Sequence, residues 1–222
     1  MVDGGGRSWS ALRGGCRAPG LGPHCLAPDH VLEGRPQEGG RMLNDDRSVW
    51  TDPDTGVEYE LDHFLAFRTT YEIKFSDGTR DVEALVSFSN HCYTRSMEDG
   101  DDERYIVDRQ RRRDGIEDIR IFCHRRWGFS VDLRDKIRDL LYKQCFMGGS
   151  QEILYRQEEV QRPGEHAGWY ICMRLDYKEY DDPPFQIWVR SVHWRPNRPY
   201  GIRGGPKKFC ILLKQYLERK NP

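Results

Sequence analysis

The chain reads as an α+β domain with a mainly antiparallel sheet built from hairpins and two amphipathic helices, preceded by a disordered Gly/Pro-rich leader. Three observations carry that reading. Apolar residues alternate with period two on either side of short turn sequences. Two later stretches place apolar residues at helical spacing. No strand–helix–strand alternation runs long enough for a doubly wound parallel sheet. With 37% hydrophobic and 32% charged residues, the 222-residue chain has enough apolar side chain for a core inside a polar shell.

Residues 1–41 contain ten Gly and four Pro and no periodic apolar pattern, the composition of disordered sequence. Met42 follows directly, and the composition turns globular there. The expected division is a leader over 1–44 and a single α+β domain over 45–222.

The elements follow in order. Tyr71-Glu-Ile-Lys-Phe75 alternates apolar and charged, Ser76-Asp77-Gly78-Thr79 supplies turn chemistry, and Asp81 to Phe88 follows as a second run, which predicts a hairpin. Between Arg95 and Arg126 lie nine acids and nine arginines, the pattern of a solvated loop or exposed face, with a short strand over Ile119 to Cys123. Ser130 is placed to cap a helix over roughly 131–145. There Leu133, Ile137, Leu140 and Leu141 make one stripe, Asp132 complements the helix dipole, and Gly148-Gly149 ends the element.

Gly168 to Lys178 and Phe185 to Trp194 predict two strands joined by the acidic turn Glu179 to Pro184. In the second strand, strict alternation puts Phe185, Ile187 and Val189 on one face and Trp188, Val192 and Trp194 on the other. Arg195 to Gly205 reads as a loop. Pro206 suits a first helical position, and Phe209, Leu212, Leu213, Tyr216 and Leu217 form the second helical stripe.

No run approaches the 18 or so apolar residues of a membrane span, and no charged n-region with an apolar h-region opens the chain. The seven cysteines are scattered without a C-x-x-C pair, which suits reduced thiols. A cytoplasmic protein is expected.

Charge gives the strongest functional signal. Lys and Arg number 35 against 36 acids, yet Gln186 to Pro222 holds nine Lys/Arg and one acid, Glu218. Arg190, Arg195, Arg198, Arg203, Lys207 and Lys208 are candidates to track phosphates, with Trp194 or Tyr200 as a stacking surface. The expected function is therefore a binding module contacting nucleic acid or an acidic protein through a basic, aromatic-bearing surface. The plain alternative is that strand and helix keep basic solvent faces. A third reading is an interaction subunit of a larger assembly anchored by Trp188, Trp194 and Tyr200.

Pro53-Asp54, followed eighteen residues on by Glu72-Ile73-Lys74, is a literal match to a short catalytic pattern. Over about 22 residues it resembles the restriction-endonuclease-like superfamily. The resemblance implies a metal-dependent nuclease in which Asp54 and Glu72 hold Mg²⁺ and Lys74 orients the attacking water. Glu72 and Lys74 are equally what a half-buried strand shows to solvent.

Two further sets complete the candidates. Cys92, Cys123 and Cys145 would bind Zn²⁺ if the ends of their elements converged. Buried thiols are the plainer explanation. His91-Cys92 and Cys123-His124 are adjacent pairs, whereas a catalytic imidazole must face its sulfur across space. Asn90 and His91, in the polar run Ser87 to Thr94, mark a site at a strand end. No G-x-S-x-G elbow, phosphate-cradling glycine loop or H-E-x-x-H is present. Whether the chain is an enzyme stays open at this point.

Overall fold

In the computed structural model the described residues are 48–112, 114–148, 153–158 and 166–220. The expected leader, 1–44, lies outside them. The strands are β1 (Val49–Thr51), β2 (Glu58–Glu60), β3 (Phe67–Phe75), β4 (Gly78–Phe88), β5 (Thr94–Ser96), β6 (Ile106–Arg111), β7 (Glu117–Phe122), β8 (Gln144–Met147), β9 (Ile153–Glu158), β10 (Gly168–Tyr177), β11 (Phe185–Arg195) and β12 (Arg203–Lys208). The α-helices are α1 (His124–Ser130), α2 (Leu133–Arg138) and α3 (Phe209–Lys220).

Three sheets form: a β1–β2 ribbon, a three-stranded sheet β5–β7–β6, and a seven-stranded sheet in the order β12–β8–β9–β10–β11–β4–β3. Every pairing is antiparallel except β11 on β4, which is parallel. The mixed α+β architecture therefore stands, dominated by its sheets. The hairpin around Ser76-Asp77 also stands: Phe75 pairs with Gly78 across a two-residue connection. Gly78 adopts φ +141, a conformation that side chains with a Cβ disfavour.

One face of the large sheet carries the core. Ile73, Val86, Phe88, Leu154, Ile171, Met173, Leu175, Ile187 and Val189 project to it and pack with Leu133, Ile137, Phe209, Leu212 and Leu213 of the helical segments. Fully burying one such side chain stabilises by about 1.5–3 kcal/mol. Tyr71, 1% exposed, donates its hydroxyl hydrogen bond to the Ile137 carbonyl at 2.7 Å, and Tyr216 donates to Leu175 O at 3.3 Å. These two bonds tie α2 and α3 to the same face. Trp50 stacks on Phe122 at 3.8 Å, which fastens the β1–β2 ribbon to the three-stranded sheet.

Five sequence expectations are corrected. The helix expected over 131–145 is shorter: α2 is followed by a 3-10 turn at Asp139–Tyr142 and then by strand β8. The stripe was right, since Leu133, Ile137 and Leu140 are buried, but Cys145 to Met147 pair with β9 and β12 instead of continuing the helix. Ser130 is not its cap. It closes α1 and donates to the Trp127 carbonyl at 2.7 Å. Pro206 lies in edge strand β12, at a register irregularity between Arg203 and Lys207 where a missing N–H is tolerated. Helix α3 starts only at Phe209, whose N–H reaches Lys143 O at 2.9 Å. Finally, the charged run after Arg95 is a sheet, and its Arg120 is 5% exposed.

Candidate anion-binding site

The site is assembled where β4 ends beside β11. Ser89 donates its N–H to Val189 O at 3.0 Å, and Cys92 Sγ donates to the same carbonyl at 3.5 Å. Between them, Asn90–Cys92 makes a 3-10 turn capped by Ser89 Oγ, which accepts from His91 N at 3.0 Å. The Asn90 carbonyl accepts from Thr94 Oγ1 at 2.8 Å. Its side-chain Nδ2 donates to Asp108 at 2.7 Å, while Oδ1 is buried without a partner.

Two arginines lock this turn. Arg120 of β7 donates to Thr94 Oγ1, Thr94 O and Ser96 Oγ at 3.2, 3.0 and 2.8 Å and lies 3.7 Å from Asp118. Arg126 of α1 donates through Nη1 to His91 O at 3.2 Å and Thr94 O at 2.6 Å. Burial lowers both guanidinium values from their ordinary range.

The third wall is β11. Between Cys172 and Met173 of β10 the register with β11 slips, because β11 inserts Arg190 as an extra residue. The bulge reverses the alternation. Val192 joins the core face beside Phe185, Ile187 and Val189, and Trp194 shifts with it. The expected shared face of Trp188, Val192 and Trp194 therefore does not form. Ser191, His193 and Arg195 instead follow Trp188 on the face opposite the core, across from Cys172 and Tyr170 of β10, with Tyr155 of β9 beyond Cys172.

This row is rich in donors and poor in acceptors. Arg190 lies 5.5 Å from the Trp188 ring centroid. Among the described residues, neither Arg190 nor Arg195 forms a side-chain hydrogen bond or ion pair. Ser191 Oγ is 3.2 Å from His193 Nδ1, and both His193 Nε2 and Trp188 Nε1 are buried without partners. Burial, followed by Arg195 and Arg126, pushes His193 down to about 4. Burial, with Arg120, Arg126 and Arg190 outweighing Asp118, pushes His91 down to about 4. Burial raises the Cys172 thiol and the Tyr155 hydroxyl above their usual values, while Arg190 and Arg195 pull both the other way. Both guanidinium groups therefore act on the same Cys172–Tyr155 pair. At neutral pH the imidazoles, thiol and phenol are uncharged and the guanidinium groups are cationic.

The other expected site residues lie elsewhere. Arg198 sits over the Phe146 ring and donates to Gly204 O, Tyr200 is fully exposed, and Lys207 and Lys208 are exposed on edge strand β12. The backbone of Arg203 pairs with Met147 in the same edge. Trp194, 39% exposed, lies under Arg125. The basic residues of the last 37 positions thus divide among the β11 row, the loop at Arg198, the β12 edge and helix α3, which carries Lys214, Arg219 and Lys220. Asp54 binds Arg104 at 2.7 Å and accepts from Tyr105 at 2.9 Å in the β1–β2 turn. Glu72 and Lys74 project from the exposed face of edge strand β3. Among the described residues no three His, Cys, Asp or Glu side chains form a metal-binding group, so Cys92, Cys123 and Cys145 do not converge as one. Asn90 and His91 are at the site. Sequence reasoning missed Arg120, Arg126, Tyr155, Cys172 and His193. The Ser191-x-His193 spacing was the one local signal for the last of these.

The fold is that of a sheet-dominated α+β protein. The YjaZ family profile matches residues 49–217, and the chain belongs to the YjaZ family. No curated protein and no solved structure matches it. Among the described residues no helix is long and apolar enough to cross a membrane.

Proposed function

We propose that the chain is a binding module that holds an anionic partner, nucleic acid foremost, on the outward face of β11. The observation that carries this is the pairing deficit: Arg190 and Arg195 lack acidic partners among the described residues, beside the orphan Trp188 N–H and the partnerless His193 Nε2. Guanidinium forks match phosphate and carboxylate oxygens bidentately, and their neutralisation releases counterions. Arg126 adds a third guanidinium whose Nε and Nη2 carry no hydrogen bond to the described residues.

The test is binding of a labelled single-stranded oligonucleotide, followed by anisotropy across a salt series. Affinity should fall linearly in a log–log plot, and Arg190→Ala with Arg195→Ala should remove most of the slope. A salt-independent affinity refutes the proposal. An acidic peptide in place of the oligonucleotide decides between the two partner classes. The nuclease reading is weaker, because Asp54 is already engaged by Arg104 and Tyr105. The interaction-subunit reading retains one support, the full exposure of Tyr200.

A further inference from the structure

Unpaired buried donors are rare in folded proteins, and each one costs about 1–3 kcal/mol unless something satisfies it. Here one such donor, Trp188 Nε1, and the partnerless ring nitrogen His193 Nε2 fall on one face of one strand, with two guanidinium groups that are unpaired among the described residues between and beside them. Arg190 and Arg195 flank Ser191 and His193 along β11, and the register sets Ser191 opposite Cys172 and His193 opposite Tyr170, with Tyr155 beyond Cys172. The Ser191 hydroxyl holds the His193 ring at 3.2 Å, which fixes where Nε2 points. None of the described residues of this cluster is an acid.

We propose that Arg190, Arg195 and His193 form a seat for one phosphate group, above the Cys172–Tyr155 pair. This deepens, and rests on, the reading of the same face as an anion-binding surface. A tetrahedral phosphate offers oxygens to two guanidinium forks and to the imidazole at once, whereas a carboxylate has only two oxygens. A dianionic monoester also balances the two unpaired guanidinium charges.

Calorimetry on the full chain with inorganic phosphate tests the seat. A parallel titration uses one oligonucleotide with and without a 5′-phosphate. Wild type should bind phosphate at millimolar concentration or below, and Arg195→Ala and Arg190→Ala should each weaken it about tenfold. His193→Gln, whose amide can still donate one hydrogen bond, should keep most of the affinity, a result that simple misfolding does not mimic. A gain from the 5′-phosphate identifies a strand end as the source of the group. No gain, with free phosphate still bound, identifies a small phosphorylated molecule, and both outcomes support the seat. If oligonucleotide binds and phosphate neither binds nor competes, the seat is wrong while the broader anion reading stands. If neither binds, both fall.

Discussion

Tyr71 shows how a single buried polar atom anchors an element. Its hydroxyl donates to the Ile137 carbonyl, which ends a turn of α2, in a place water does not reach. Tyr71→Phe removes that bond, although the Asp139 N–H still reaches the carbonyl, and should lower unfolding free energy by about 0.5–1.5 kcal/mol in urea titrations, with little change in m-value. Histidines give the pH dependence. His63, His91 and His193 are each pushed from 6.5 down to about 4, chiefly by burial. A depressed histidine stays neutral in the fold while the unfolded chain takes up its proton. Stability should therefore be complete above about 6.5 and decline as pH falls from there toward 4. Asp52 extends the loss to more acid pH. Burial raises its value, but the N–H groups of Thr55 and Asp54 and the His124 ring outweigh it and hold it below 3.8. Its contribution is present above 3.8 and is lost as pH falls through the folded value. Chemical denaturation between pH 7.5 and 4 checks the sign, and rising stability on acidification would contradict it.

At the scale of elements, the bulge at Arg190 matters most. Deleting Arg190 removes the extra residue, so Val189 and Val192 then fall two apart and regular alternation keeps both on the core face. Arg190→Ala keeps the register. The deletion should therefore keep the sharp unfolding transition and the near-ultraviolet dichroism, and the substitution should change stability by less than about 0.5 kcal/mol; loss of the transition on deletion would contradict the bulge assignment. Along α2 and the turn after it, Ile137→Ala should cost about 2–5 kcal/mol, and Tyr142→Ala, at a residue 65% exposed, almost nothing. The apolar stripe over Leu133, Ile137 and Leu140 was legible in the sequence because helical spacing is local. Its end was not. Cys145 to Met147 become a strand through pairing with β9 and β12, and pairing partners so distant in sequence leave no periodic mark.

For the whole molecule, the expectation of one folding domain over 45–222 predicts a single cooperative thermal transition in calorimetry, and two resolved transitions would divide it. Saturating phosphate should raise that midpoint more in wild type than in Arg195→Ala, since a ligand that binds only the folded state stabilises it by mass action in proportion to ln(1 + [L]/Kd). The candidate site was legible in part. Arg190, Arg195, Asn90 and His91 stood out because their charge or polarity breaks from neighbouring sequence. Their companions did not: Arg120 and Arg126 sat inside a balanced charge run that gave no sign which arginines would turn inward. Composition, alternation and helical spacing by themselves determined the α+β class, the two hairpins and most of the core stripes, because each depends on residues a few positions apart. Tertiary structure alone decided the parallel β4–β11 contact, the reversal of faces beyond Arg190, and which cations gather at β11. Those depend on which distant strands pair, and on one inserted residue that alternation cannot reveal.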